Sequence, residues 1–390
     1  MMASRGLRNL FHPIDPGEIL GAADENRLLF RHTDRSEMFA RLLPWATLNT
    51  LILSEKLLSG SMGFWRQGRK VPWKMLGLSA RKPDGDWPTA DLVQSLCDQG
   101  MSIVLNNIGD DVPAIAAMNA MVERYLRCNT HTNAYASFKH DSAFGAHYDS
   151  HNVLVLQLHG SKRWWSHGQV ASFPQEGKVF RSLEELPPAE WEGVLEPGDI
   201  LFLPRGHVHR ATANDTYSVH LAIGLTPPNG EDVLKWLARQ ALASERARQY
   251  IPAHAAPRAL NQHCDDLRAM LHQMADKLDL ADFLADADLA RAPARPLNLG
   301  LSQALALATH VQPALRRRIA LPPVHHGEAR LCLGDMKVTL TVGERDVLAK
   351  LLDEDAMSLA ELAEALPETD VKAAVASLAR KSLIFLFEPS

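Results

Sequence analysis

The sequence predicts an α+β protein with a β-rich middle between helical flanks. Three observations carry this. Between about residues 130 and 226, short apolar segments ("NAYASF", "NVLVLQLH", "GDILFLP", "YSVHLAIGL") alternate with Gly, Pro and polar turns, the texture of a β-sandwich or barrel. From 231 to about 315, "EDVLKWLARQALASERARQYI" and "DDLRAMLHQMADKLDLADFLADADLARA" carry apolar stripes at about 3.6-residue spacing. From 328 to 390, a strand-like "VTLTV" precedes three short helical patterns and a closing "LIFLFE", the order of a winged-helix module.

The N-terminal third mixes short helices with loops. "DRSEMFARLLPW" predicts a helix with Asp34 or Ser36 as cap and Pro44 as stop. "MSIVLNNI" (101–108) predicts a short buried strand, and "VPAIAAMNAMVERYLR" (112–127) an amphipathic helix. In the middle region, "EPGDILFLPRG" places one apolar strand between two turns. "APARPLNLG" (292–300) and "LPPVHHG" (321–327) mark breaks. The expected domains are 1–226, with its core motifs in 130–226, then 231–315 and 328–390.

Composition narrows the class. The 390 residues are 46% hydrophobic and 22% charged, enough apolar material for a large core and too little charge for a disordered chain. A net charge of -5 gives no global nucleic-acid signal. The 328–390 module holds 7 Lys and Arg against 12 Asp and Glu. Phosphate binding needs the reverse balance, so the module is expected to pack or contact protein rather than DNA. Cys97, Cys128, Cys264 and Cys332 lie far apart without a CxxC, so no zinc knuckle or disulfide framework is expected. No long apolar run marks a leader or a membrane span, and a cytoplasmic location is expected.

The chemistry concentrates in "GAHYDSHNVLVLQLHGSKRWWS" (145–166). His147 and Asp149 are two apart, so an extended chain points both to one side. "LPRGHVHRA" offers His207 and His209 at the end of another strand. Two histidines and a carboxylate on one face of an octahedron are the donor set of non-haem Fe(II) oxygenases, which leave positions open. A structural zinc site would close its shell, usually with cysteines. HxD alone is a weak signal in a chain of 17 histidines. Lys162 follows the apolar run. It either carries its charge out to solvent or neutralises the far carboxylate of a dicarboxylate co-substrate. Periodicity does not choose between these.

The combined motifs do. "HYD" at 147–149, "LQLHGSKRW" at 156–164 and "EPGDILFLPRGHVH" at 196–209 resemble the JmjC-type 2-oxoglutarate oxygenases, and most closely their ribosomal-oxygenase (cupin-4) subgroup. The resemblance implies a double-stranded β-helix (jelly-roll) core, a helical dimerisation domain at 231–315 and a C-terminal winged helix. It implies His147, Asp149 and His209 as iron ligands, with His209 preferred over His207 as the third residue after Pro-Arg-Gly. It implies Lys162 as partner of the distal carboxylate of 2-oxoglutarate. Asn133 and Tyr135, on the strand before the triad, would reach co-substrate or substrate. His220 either lines the pocket or is a buried core histidine. His151 and His159 gain nothing from the match, and Trp164 and Trp165 are expected to pack. Ser150 departs from the subgroup, which often has an acidic residue there, and this puts the substrate's identity in doubt. "QGRK" with "VPWK" (67–74) is either a solvated basic face or a substrate contact.

The implied activity is Fe(II)-, 2-oxoglutarate- and O2-dependent hydroxylation of an amino-acid side chain in a protein or peptide. A ribosomal protein is the default substrate and a ribosomally made peptide natural product the alternative. Lysine demethylation fits the subgroup less well. A cupin metalloenzyme without 2-oxoglutarate would have no use for Lys162, and an intact triad argues against a non-catalytic scaffold. A homodimer through the helical domain is expected, with no nucleic-acid or membrane partner.

Overall fold

The computed structural model describes residues 11–12, 14–53, 61–66, 69–72, 89–139, 144–180, 182–254, 256–308 and 310–387. Eleven strands form the main sheet: β1 (Leu29–Arg31), β2 (Met62–Arg66), β3 (Arg69–Lys70), β4 (Ser102–Leu105), β5 (Asn129–Phe138), β6 (His147–Tyr148), β7 (Asn152–Gln169), β8 (Lys178–Val179), β9 (Trp191–Leu195), β10 (Ile200–Leu203) and β11 (His207–Thr226). They run β1-β10-β7-β11-β5-β4-β2-β3, with β6 joining β11 and β8, and β9 joining β7. All these pairings are antiparallel.

The long strands β7 and β11 are shared between two halves of this curled sheet. The first half of β7 pairs with β10, and its second half with β9. The second half of β11 pairs with β5, and its start with β6. The β7–β11 register slips between Ala213 and Ser218 and again between Val219 and His220. Gly160 sits at the bend with φ +57°, and a Cβ there would run into the Tyr217 carbonyl, so glycine is required. Gln157 fixes the bend by donating to the carbonyls of His159 and Gly160 and to Ser218 Oγ.

This bend explains the apolar run. Leu154, Leu156 and Leu158 face the larger core, formed with the N-terminal helices, while Val153 and Val155 face a second cluster with Trp164 and Leu195. Both faces are buried, so the strand reads as nearly continuous hydrophobic sequence. Lys162 does not follow the strand, as the sequence suggested; it lies inside it. The slip reverses the in-out phase, so Val153 before it and Lys162 and Trp164 after it line the same cavity.

Other differences are local. The helix at 34–45 runs Ser36–Leu42 with Arg35 at its N-cap and no side-chain cap, and Pro44 instead opens the next helix, Trp45–Ile52. The helix Pro113–Leu126 is buried on nearly every side rather than amphipathic, because it packs between the sheet and the C-terminal part. Its Glu123 and Arg124 are buried in ion pairs. Of the basic run at 67–74, Arg69 and Lys70 are exposed in β3, while Gln67, Gly68, Trp73 and Lys74 lie outside the described residues.

Helices follow at Gly230–Ala241, Glu245–Arg248, Pro257–Asp276 and Leu280–Ala290. Two more sheets close the chain. β12 (His310–Pro313) pairs with β15 (Met357–Ser358) and β16 (Ile384–Phe387), and β13 (Glu328–Leu333) with β14 (Met336–Thr341). They pack with helices Val342–Glu354, Leu359–Ala365 and Val371–Arg380 around a separate core. Residues 310–313 thus belong with this C-terminal unit rather than with the preceding helices. No helix among the described residues is long and apolar enough to cross a membrane.

Candidate metal centre

β6 and β11 bring the predicted donors together. His147 and His209 are register partners across the two strands, and Asp149 follows β6 directly. The Gly206 N–H donates to the Asp149 carbonyl at 2.9 Å, tying the two donor segments to each other. Asp149 Oδ2 lies 3.9 Å from His147 Nε2 and 3.7 Å from His209 Nε2, and all three donor atoms fall within 4.8 Å of one another. These separations exceed a hydrogen bond and suit groups that share one ion.

The electrostatics prepare the same donor set. His147 Nδ1 is 2.9 Å from the Gly145 carbonyl, and His209 Nδ1 is 3.1 Å from the His207 carbonyl. An Nδ1–H donated to each carbonyl leaves the Nε2 lone pairs for an ion, the usual orientation of metal-binding imidazoles. Burial, with the neighbouring His147, lowers the His209 pKa to about 4, so this imidazole is neutral at physiological pH. Burial pushes the Asp149 carboxyl up, but His209 and His147 outweigh it and hold the group below its ordinary value. Two imidazoles and one carboxylate fit a ferrous ion with open positions.

The donors open onto a cavity of about 290 Å³. Lys162, Tyr135, Asn133 and His220 all line it. Lys162 is 2% exposed, and its ammonium donates to Ser137 Oγ at 3.0 Å. Tyr135 stacks on His220 with 4.8 Å between ring centroids and 4° between planes. Burial, then the nearby Asp149, keeps the Tyr135 phenol protonated far above its usual range. Burial, then Lys162, drives His220 well below the ordinary imidazole value. Asn133 Oδ1 accepts from the Asn107 N–H at 2.9 Å. Trp164 Nε1 and His220 Nδ1 are buried without a hydrogen-bond partner among the described residues. Buried polar groups are seldom left so, and an oxygen-rich ligand in this cavity would satisfy them. The residues present therefore fit both the metal and an anionic co-substrate.

The remaining histidines separate cleanly. His207 turns away, and its Nε2 contacts Asn26. His159 packs on Trp45 outside the cavity. His151 is not a bystander: it lines the cavity and meets His131 edge to face at 4.6 Å. Gly224 makes room, since a Cβ there would overlap the His131 ring. Sequence reasoning missed His131 and Ser137, although both keep the period-2 phase of Asn133 and Tyr135 along β5.

Residues 110–233 match the JmjC domain family. This stretch, under half of the chain, is similar to JmjC domains. Two curated relatives, both bifunctional lysine-specific demethylase and histidyl-hydroxylase NO66, match over 186 residues. The Aedes aegypti protein is 30% identical, covering 46% of this chain and 29% of the relative. The Culex quinquefasciatus protein is 28% identical, covering 46% and 28%. The chain thus spans under a third of the length of these relatives. The structure of E. coli ycfD is 16% identical and covers 96% of this chain and 98% of its own, with a TM-score of 0.53. The same ribosomal oxygenase in complex with cobalt and 2-oxoglutarate aligns with a TM-score of 0.52 at 16% identity, with the same coverage. The likeness extends the shared fold beyond the JmjC domain to nearly the whole chain.

Proposed function

We propose that this chain is an Fe(II)- and 2-oxoglutarate-dependent oxygenase that hydroxylates an amino-acid side chain of a protein or peptide. The observation that carries this is the joining of the His147, Asp149 and His209 donors to a buried Lys162 in one cavity. A dicarboxylate bound at the metal would have its far carboxylate met by that cation. When bound, ferrous iron and 2-oxoglutarate supply the oxidising chemistry: one oxygen of O2 enters a substrate C–H bond and the other enters succinate as CO2 leaves.

The chain's own residues bind and orient. His147, Asp149 and His209 would hold the ion. Lys162, with Ser137 beside it, receives the distal carboxylate in a charge-assisted hydrogen bond. Tyr135 and His220 form a stacked wall beside it, and Asn133 lies next along β5. Val153 and Trp164 supply apolar surface that limits water. The histidyl-hydroxylase activity in the relatives' names supports a protein side chain as substrate, and the likeness to a ribosomal oxygenase makes a ribosomal protein the first class to assay.

The helical segment 231–315 is read as a dimerisation domain. Helices Gly230–Ala241 and Pro257–Asp276 contain no buried residue, while Leu234 and Leu271 are 68% and 59% exposed. Apolar exposure on this scale marks an interaction surface. The 328–390 unit is read as a winged-helix element that packs against the catalytic part: Arg124 and Asp355, both fully buried, pair at 3.0 Å across the boundary.

The test is direct. Protein purified without oxygen is given Fe(II), 2-oxoglutarate and then air, with and without ribosomal extracts from cells lacking the gene. Succinate release and a +16 mass shift on one protein are expected. Absence of metal-dependent 2-oxoglutarate binding would overturn the reading.

A further inference from the structure

A second cavity, of about 470 Å³, adjoins the first and shares His151 with it. Ser150, Asn152, Phe173, Arg205 and Asn229 are among its lining residues. Arg205 is held from both sides. Its N–H donates to Asn152 Oδ1 at 2.9 Å, and its guanidinium lies 4.1 Å from the centroid of the Phe173 ring. Phe173 is itself an unusual platform. It is 74% exposed, with a left-handed φ of 48°. A bulky aromatic rarely takes that backbone without a packing or functional reason.

The turn carrying Phe173 is locked to the metal loop. The Val170 N–H donates to the Gly206 carbonyl at 3.0 Å. Gly206 has φ +76°, and a Cβ there would overlap the Ala171 carbonyl. The next bond in this chain of contacts runs from Gly206 N–H to Asp149. Arg205 is thus placed at a fixed offset from the metal donors, on the far side of His151.

Among the described residues its charge is uncommitted. Asp24 is the sole carboxylate among the described lining residues, and among the described residues Arg205 has no ion-paired carboxylate. A guanidinium stacked by one face on an aromatic ring keeps its edge free for two parallel N–H donations to a carboxylate. We propose that this second cavity is a subsite for the peptide flanking the hydroxylated residue, and that Arg205, stacked on Phe173, receives a carboxylate from that flank. The inference rests on the chain being a peptide hydroxylase and adds what its peptide looks like: an acidic group close to the target residue. The carboxylate has two sources, an Asp or Glu side chain or the peptide's own C-terminus.

The probe is a degenerate 12-residue peptide library, in amidated and free-acid forms. It is equilibrated without oxygen on the immobilised full-length protein loaded with Mn(II) and 2-oxoglutarate. Retained peptides are sequenced. Acid-bearing peptides should be enriched about fivefold by the wild type, the scale of a half-exposed ion pair. Arg205→Gln should abolish the enrichment, Arg205→Lys keep part of it, and Arg205→Glu shift it to Lys and Arg. Unchanged Mn(II) binding by each variant shows that the loop is intact. Enrichment that survives amidation assigns a side-chain carboxylate; enrichment confined to free acids assigns the C-terminus. Equal retention of acidic and neutral peptides by the wild type, or enrichment persisting in Arg205→Gln, overturns the proposal. Acid preference without any +16 product on aeration with iron would sink the hydroxylase reading and leave the carboxylate site standing.

Discussion

Replacing Lys162 by Met tests the co-substrate assignment at its most specific point. Methionine keeps the length and apolar stem of the side chain and removes only the ammonium. The site is 2% exposed, so water cannot stand in for the lost charge. A buried carboxylate deprived of its partner costs about 3–5 kcal/mol. Ser137 Oγ, 3.0 Å from Nζ, remains as a donor and places the loss at the lower end, about a hundredfold in affinity. The assay is calorimetric titration of 2-oxoglutarate into Mn(II)-loaded protein without oxygen. Manganese affinity should change by less than about threefold, because His147, Asp149 and His209 supply the donor atoms and Lys162 supplies none. Titration with 2-oxobutyrate, which lacks the distal carboxylate, closes a double-difference cycle: wild type and variant should bind it alike. A Lys162→Met protein that binds 2-oxoglutarate within about threefold of wild type, or that loses both ligands equally, would refute the reasoning.

Three other perturbations probe separate parts of the molecule. Asp149→Ala removes the anionic donor and should weaken Mn(II) by more than about a hundredfold, beyond the loss seen for outer-shell changes, measured by the same calorimetry. Glu123 is fully buried against Arg291, Arg316 and Arg317, so Glu123→Ala strands these cations and should cost about 3–5 kcal/mol in denaturant unfolding. Burial raises the Glu123 carboxyl, but Arg291, Arg316 and Thr130 outweigh it and its folded pKa is lowered. Its contribution is therefore present above the unfolded carboxylate value and lost as pH falls through the folded one. The wild-type–variant gap should narrow on acidification; a gap independent of pH would contradict the assignment. Leu234→Glu with Leu271→Glu should convert a dimer to monomer in light scattering after gel filtration, with 2-oxoglutarate binding unchanged.

The donor triad was legible because two ligands stand two residues apart, one in β6 and one directly after it, and the third opens β11 just past a turn marked by Pro-Arg-Gly. Lys162 was legible as a residue but not as a position. Period-2 counting from Val153 would send it to the opposite face, and only the register slips and the bend at Gly160 return it to the cavity. His151 was passed over for a related reason. It follows Asp149 at the same two-residue interval, and only its contact with His131 on β5 reveals that it lines the cavity. The buried ionic cluster left less trace. Glu123 meets Arg291 and Arg317 across 168 and 194 residues of sequence. A polar pair near the end of an apolar helix is indistinguishable from a solvent face until the C-terminal part is folded against it.

The same register slips explain how one cavity serves two ligands. β7 places Val153 inward before the slip and Lys162 and Trp164 inward after it. β11 places His209 and Ala211 inward before its own slip and His220, Ala222 and Gly224 inward after it. A strand of constant phase could present either the early set or the late set, never both. By changing phase, each strand contributes to the cationic end at Lys162 and also to another part of the wall: Val153 on β7, and Gly224, beneath His131, on β11. The donors on β6 and the start of β11 share this cavity. An insertion or deletion at Gly160 would therefore do more than loosen a turn. It would rotate Lys162 out of the cavity while leaving His147, Asp149 and His209 in place, giving a protein that still binds metal but no longer distinguishes 2-oxoglutarate from a monocarboxylate.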